Sequence, residues 1–320
     1  MKLYPLQFEP ILKERIWGGT KLKTLLNKPI ISNITGESWE ISTVVNDVST
    51  VANGFFKGKF LNELLEEYPV AILGTKVYEQ FGKQFPLLFK YLDARKDLSI
   101  QLHPNDTLAK KRHNSFGKTE MWYVMQADED ANLIVGFKER STPEEFLDNL
   151  NKKTLLNILD TKKVKNGDVF FLETGTIHAI GAGNVIAEIQ QTSDITYRIY
   201  DFDRVDAKGN TRELHVDLAL EAINYDVVQA QKEYNKLENV SNEMVHCNYF
   251  TTNFIPLEGS VNVKKNKESF TVYMCVDGNF ELVYEGQSYA YQKGDTILIP
   301  AEMNEYQIFG KASLLEIYIS

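Results

Sequence analysis

The chain of 320 residues holds only two cysteines, five histidines and three tryptophans. Cys247 and Cys275 are too few for a disulfide framework, which needs several bridges to staple a scaffold. Two reduced thiols fit a reducing compartment. Long apolar runs are missing: no stretch approaches the roughly 18 apolar residues of a membrane-spanning helix. The opening "MKLYPLQFEPILKERIWGG" has no apolar segment of a secretory signal. A cytoplasmic protein without a membrane partner is expected. Excess positive charge is missing too. Lysine and arginine number 35 against 44 aspartates and glutamates, a net charge of −9. That balance argues against nucleic acid as a partner, because a phosphate backbone attracts basic surfaces. It leaves room for a local basic pocket that takes a phosphorylated metabolite. Hydrophobic content of 43% and charged content of 25% are ordinary for a globular chain of one large or two moderate domains.

What the sequence does have is short strands between turn signals. "FPLLFKYLDA" (85–94) and "LSIQLHP" (98–104) read as a strand pair joined by a polar turn. "KTEMWYVM" (118–125), "ANLIVGF" (131–137), "GDVFFLE" (167–173), "NVIAEIQQT" (184–192) and "ITYRIYDF" (195–202) follow. Three segments read as helices: 59–74, 141–160 and 213–226. The second opens on Thr142, Pro143 and Glu145, a capping box with proline at the first helical position. The polar stretch 229–244 reads as a connector, and 245–320 as a compact all-β segment.

Two β regions match one another. "KNGDVFFLETGTIHAIGAG" (165–183) and "QKGDTILIPAEMNEYQIFG" (292–310) share a Gly-Asp turn, an apolar strand and a small-residue turn. Ten residues after the aspartate stands His178 in the first and Glu305 in the second. A Gly-Asp turn, a strand, a tight turn and a histidine on the return strand is the pattern of a cupin-type barrel. The expected fold is mainly β: two cupin-like (jelly-roll) antiparallel barrels with helical insertions. Residues 1–228 form the catalytic unit and 245–320 a second, metal-free one.

With so few histidines, their placement is informative. His103 and His178 sit on apolar strands, and Glu120 lies on a third. On a strand, residues i and i+2 share a face, so Ser99, Gln101 and His103 line one wall. Two imidazoles and a carboxylate match a ligand set for a divalent transition metal, and Gln101 offers a neutral fourth oxygen. A lone strand histidine is more often a satisfied core or surface group, and that alternative stands beside the metal reading. His113 in a loop, His215 at a helix start and His246 on a strand receive no site role. Arg198 is central to an apolar strand, where a charge is costly unless paired or bound to an anion. An ion pair to Glu188 or Asp194 across the hairpin is the structural alternative.

"FPLLFKYLDARKDLSIQLHPND", "GKTEMWYV", "GTIHAIGAG" and "TSDITYRIYDFDR" together resemble the type I mannose-6-phosphate isomerases, in particular the shorter bacterial members. "ERIWGG" (14–19) and "GESWEIS" (36–42) resemble N-terminal motifs of that family. The resemblance implies one zinc ion per chain and interconversion of mannose 6-phosphate and fructose 6-phosphate on cupin barrels. Carried onto this chain, it implies Gln101, His103, Glu120 and His178 as metal ligands. It implies Arg198 as a catalytic arginine, Lys118 and Glu188 as acid/base candidates, and Lys90, Ser99 and Arg204 at the phosphate. Lys118, beside a dication, is expected to have its pKa lowered. Two departures stand out: Arg15-Ile16 replaces the family's Tyr-Asp before Trp17-Gly18, and Ile180 stands where larger members carry tyrosine. The expected state is a monomer or weak homo-oligomer. Two competing readings are an Fe(II)-dependent cupin oxygenase, since His103, Glu120 and His178 also satisfy its facial triad, and a non-catalytic sugar-phosphate-binding cupin.

Overall fold

A computed structural model describes residues 2–205 and 208–320, and antiparallel strands dominate it. The first sheet runs, in hydrogen-bonded order, Gln231–Lys232, Val169–Leu172, Glu120–Ala127, Asn184–Gln191, Leu87–Ala94, Thr35–Ile41 and Ile11–Gly19. The second runs Leu159–Lys163, Asn132–Phe137, His178–Ile180, Ile100–Leu102 and Tyr197–Tyr200. Leu92, Trp122, Val124 and Ile186 of the first pack with Leu133, Val135 and Ile180 of the second in one cluster, so the two sheets share an interior.

The period-two alternation of strands decides which residues reach that interior. On Glu120–Ala127, Met121, Tyr123 and Met125 face outward into a second, larger cluster, whereas Trp122 and Val124 face inward. On Asn184–Gln191, Val185, Ala187 and Ile189 face outward and Ile186 inward. Both faces are buried, so these strands read as near-continuous apolar runs. The few inward polar residues, Lys90, Glu120 and Glu188, are therefore conspicuous.

The outward faces pack on a third sheet. It runs Leu6–Gln7, Thr296–Ile299, Thr271–Tyr284, Glu305–Tyr318, Thr251–Lys264 and Asn242–His246, with Gln287–Gln292 paired to Thr271–Tyr284. Val272, Met274, Leu315 and Ile317 join the shared cluster, which also takes Leu61, Leu64, Ile72 and Val77 from three short helices. The alternate residues Tyr273, Cys275, Leu282 and Leu314 form this sheet's own core. The mainly β architecture of two antiparallel units with helical insertions is as expected.

The two matching turns superpose in their chemistry. Gly167 and Gly294 take φ of 88° and 94°, the left-handed region open to glycine. Asp168 accepts a bond from Lys165 N at 2.9 Å, and Asp295 one from Gln292 N at 2.8 Å. Beyond the turns the units diverge. His178 is buried, whereas Glu305 is exposed and pairs with Lys264. Among the described residues, the one cluster of side chains able to hold a metal is His103, Glu120 and His178.

Several expectations are corrected. The segments 85–94 and 98–104 do not pair with each other; Leu87–Ala94 lies in the first sheet and Ile100–Leu102 in the second. The helix expected over 59–74 divides into Leu61–Glu67 and Pro69–Leu73, because proline has no N–H to continue a helix. A further helix, Thr75–Phe81, follows Gly74. The helix expected over 141–160 starts as read, with Thr142 accepting from Glu145 N at 3.2 Å, but ends at Asn151. Lys153 turns left-handed, with φ of 58°, and Leu159–Lys163 then joins a sheet. The helix over 213–226 shrinks to Val216–Leu220. A helix at Asp106–His113, capped by the Asn105 side chain on Leu108 N, replaces the loop expected around His113. The unit boundaries also differ: Leu6–Gln7 belongs to the third sheet, Asn242–His246 starts its chain there, and Gln231–Lys232 extends the first sheet.

In the core of the third sheet, Glu316 accepts from Ser241 Oγ, Asn253 Nδ2, Lys265 Nζ and Tyr273 OH at 2.7, 2.9, 2.7 and 3.2 Å. Burial opposes its ionisation, but Lys265 and these donors win and hold its pKa below the usual carboxylate value. A depressed carboxylate contributes stability above its unfolded pKa, near 4.3, and loses it as pH falls through the folded value. Glu316→Gln is therefore expected to be less stable than the wild type at pH 7, with the gap closing as pH falls below about 4.3. Urea titrations at pH 7, 5, 4 and 3 measure it, and a gap constant with pH refutes it. Phe85 and Phe270 stack at 4.8 Å across the two units. Phe85→Ala is expected to cost about 3–5 kcal/mol while both units still unfold in one transition, which denaturation followed by two probes checks.

Candidate active site

The site residues arrive on several strands of both sheets. Gln101 is opposite His178 in one ladder and Arg198 in the next, so three side chains meet on the inner face of the second sheet. Glu120, Lys90 and Glu188 come from the facing sheet, where Glu188 is in register with both Lys90 and Trp122.

His103 Nδ1 lies 2.8 Å from Ile195 O and His178 Nδ1 lies 2.9 Å from Thr176 O. Each imidazole thus donates from Nδ1 to a carbonyl and turns its Nε2 lone pair to the centre, the arrangement of a metal-ligating histidine. Nε2 of His103 is 3.6 Å from Glu120 Oε2, and Nε2 of His178 is 3.5 Å from Glu120 Oε1. All three residues are almost fully buried. Burial, reinforced by Lys118, pushes His103 well below the usual imidazole value and His178 down to about 4. Both rings are therefore neutral, as a metal requires. Burial pushes Glu120 up to about 7 against the pull of Lys118. Lys118 Nζ reaches Glu120 Oε2 at 2.7 Å, whereas Oε1 has no hydrogen-bond donor. A buried carboxylate oxygen without a donor, between two neutral imidazoles, is well matched to a cation. The residues fit a divalent metal. Gln101 presents Nε2 at 3.5 Å from His178 Nε2, with Oε1 at 3.3 Å from Ser99 Oγ. Ligation through its oxygen needs the amide turned over.

Lys118 lies 3.1 Å from His103 Nε2 and 3.9 Å from Glu188 Oε1. Glu188 is gripped at both oxygens, by Lys90 at 3.0 Å and by Trp122 Nε1 at 3.1 Å. Burial opposes its charge, but Lys90 and Lys118 hold it down to about 2. Lys118 sits between two carboxylates, and the lowering expected of it belongs to the site with a dication bound. Burial disfavours the ammonium, yet Glu120 and Glu188 outweigh it and raise the pKa.

Gln101, Lys118 and Glu188 form the wall of a cavity of about 510 Å³, with the buried triad behind them. Lys90, Ser99 and Arg198 also line it. Arg198 makes neither expected ion pair, because its strand pairs with Ile100–Leu102 rather than with the strand of Glu188. Its Nε reaches Ser99 Oγ at 3.3 Å and its NH1 reaches Glu213 O at 3.0 Å. Arg204 does not line the cavity; its guanidinium is held by Asp201 and by Asp97 O. Arg212, His215 and Arg15 line it instead. Sequence reasoning missed all three. Arg15 was noted only as a departure, yet it pairs with Glu37 at 2.7 Å on the cavity wall. His215 sits at a helix start, as read, and its Nδ1 accepts from Arg198 N at 3.2 Å. Trp17 and Trp39 also line the cavity, and Lys90 stacks over Trp39 at 4.9 Å.

Comparison with known proteins agrees with this geometry. The model of the phosphomannose isomerase type I catalytic domain matches residues 5–132, and that of the mannose-6-phosphate isomerase cupin domain matches residues 241–319. The mannose-6-phosphate isomerase ManA of Bacillus subtilis is 37% identical, over 98% of this chain and 99% of its own. The mannose-6-phosphate isomerase of Streptococcus mutans is 34% identical, over 97% of each. The crystal structure of a mannose 6-phosphate isomerase from Bacillus subtilis superposes with a TM-score of 0.90 at 35% identity, covering 98% of this chain and 99% of that one. A phosphomannose isomerase variant from Salmonella typhimurium, 17% identical, shares the fold with a TM-score of 0.81 over 99% and 100% of the two chains. The chain belongs to the type I mannose-6-phosphate isomerase family.

Proposed function

We propose that this protein interconverts mannose 6-phosphate and fructose 6-phosphate, with zinc held by His103, Glu120, His178 and Gln101. The single observation that carries the reading is the buried triad, with Glu120 Oε1 left without a donor, directly behind the wall of a cavity rich in cations. When bound, zinc supplies Lewis-acid polarisation of the sugar carbonyl, which acidifies the neighbouring C–H. The remaining work falls to the chain. Moving a proton between C2 and C1 needs a group that accepts it and a group that supplies one to oxygen. Glu188 is ionised in the folded protein and Lys118 is an ammonium. These starting states give Glu188 the accepting role and Lys118 the donating one. Arg198, tethered to Ser99 and Glu213, offers charge to the enediolate from the opposite wall.

The phosphate end is built from cations that the wall presents: Lys90, Arg198, Arg212 and Arg15, with the Ser99 hydroxyl. Arg198 feels the crowding, since burial and then Arg212 lower its pKa. An anion among these guanidiniums relieves that repulsion and gains charge-assisted hydrogen bonds. Arg212 takes the place expected of Arg204.

An oxygenase on the same triad has less support. Gln101 and Lys118 crowd the centre where dioxygen must enter, and the cationic wall suits a phosphorylated substrate. A coupled assay of mannose 6-phosphate conversion is expected to show turnover that a chelator abolishes and zinc restores. Absence of turnover with zinc bound overturns the assignment. Glu188→Gln is expected to abolish exchange of solvent hydrogen into substrate, on the order of 10²–10⁴-fold, with zinc content unchanged. Lys118→Met is expected to slow turnover while exchange persists. Exchange lost in Lys118→Met and kept in Glu188→Gln reverses the two roles.

A further inference from the structure

Resting on the isomerase reading for the reaction itself, we propose that Asp106 and Tyr249 are positioning residues. Together they clamp the segment entering Lys118 and Glu120 against the segment leaving His103, and they give the C-terminal unit a part in catalysis. His103 and Glu120 belong to different segments, and no ladder pairs the strand Ile100–Leu102 with the strand Glu120–Ala127. Besides the Lys118 bridge between their side chains, backbone segments Pro104–Asp106 and Gly117–Thr119 tie the two together.

The contacts doing so converge on one carboxylate. Asp106 Oδ1 accepts from Gly117 N at 2.8 Å and from Gln191 Nε2 at 3.0 Å. Gln191 Oε1 in turn accepts from Thr119 N at 2.9 Å, and Gln191 N donates to Thr119 O at 3.1 Å. Lys118 N donates to Pro104 O at 3.3 Å. The residues flanking Lys118 are thus pinned on both sides. The approach is close enough to require glycine: a Cβ on Gly117 would lie 2.7 Å from Asp106 N and 3.0 Å from Pro104 O. The second oxygen of Asp106 is taken from outside the first unit, by Tyr249 OH at 2.6 Å. Tyr249 sits at the turn between Asn242–His246 and Thr251–Lys264, two strands of the third sheet. Without this hydroxyl, Oδ2 of Asp106 loses its one protein donor on that side, and the carboxylate is free to rotate away from Gly117.

A misplacement of about 1 Å at catalytic groups can cost about a hundredfold in rate. The test compares Tyr249→Phe, Asp106→Asn, their double mutant and Tyr234→Phe in the full-length, zinc-loaded protein. Tyr234 serves as the control, because its hydroxyl is also hydrogen-bonded away from the clamp, to Gly167 O at 2.9 Å and to Tyr123. Tyr249→Phe is expected to lower kcat about tenfold, with KM for mannose 6-phosphate within about twofold. Its zinc dissociation constant, read by chelator competition, should rise about threefold or more. Asp106→Asn should do at least as much, and the double mutant less than the product of the two. Tyr234→Phe should lower Tm comparably while kcat and zinc affinity stay put. Unchanged kcat and zinc affinity in Tyr249→Phe overturns the proposal, as does an equal response from Tyr234→Phe. Should the wild type itself lack turnover, the isomerase reading fails, and the zinc affinities alone still decide the clamp.

Discussion

Charges inside a protein must find opposite charges close by or surrender their own. Lys90, Glu188, Lys118 and Glu120 alternate in sign along a buried path, with steps of 3.0, 3.9 and 2.7 Å. Removing one member strands its neighbour, a penalty of about 3–5 kcal/mol for a buried charge. The architecture serves that path. The first sheet supplies all four, from three adjacent strands and the segment leading into one of them, and apolar packing on its outer face keeps those strands rigid. At the Glu120 end the sequence of signs runs out, leaving a carboxylate oxygen that a divalent cation completes.

Much of this was legible in the residues, for physical reasons that differ from place to place. Polar residues inside apolar strands are costly, so His103, Glu120, His178 and Glu188 stood out and do converge. The Gly-Asp turns were legible because a left-handed glycine followed by a carboxylate that caps its own turn leaves a local signature. Strand pairing was not. The segments 85–94 and 98–104 are sequential neighbours with a plausible turn, yet they lie in different sheets, and only tertiary packing decides that. The segment over 155–160 has an apolar spacing that a helix and a strand satisfy equally. Arg212 was invisible for another reason: it follows the last strand of the site, just before the segment read as a helix, and His215 was read only as that helix's start. The surroundings of Lys118 were only half legible, because Glu188, one of its two nearest carboxylates, comes from another strand.

The two β units show how one scaffold is put to two uses. Both keep the turn built on Gly167 or Gly294, where the carboxylate of the next residue binds a backbone N–H. Only the first keeps an inward histidine on the return strand. The second replaces the metal-competent interior with aromatic packing and a fully hydrogen-bonded Glu316, which is structural in character. Its contribution to the first unit comes through surfaces: the shared apolar cluster and the Tyr249 hydroxyl.

The pairing of Leu6 with Leu298 has a consequence for how the chain reaches this state. The strand Leu6–Gln7 waits for a partner, Thr296–Ile299, that is made much later in synthesis. Until then its edge and the apolar cluster behind it stay open to water and to other chains. Long-range pairings of this kind slow folding, because loop-closure entropy is spent before contacts return it. Docking of Leu6–Gln7 therefore comes late in co-translational folding, after Thr296–Ile299 has been made.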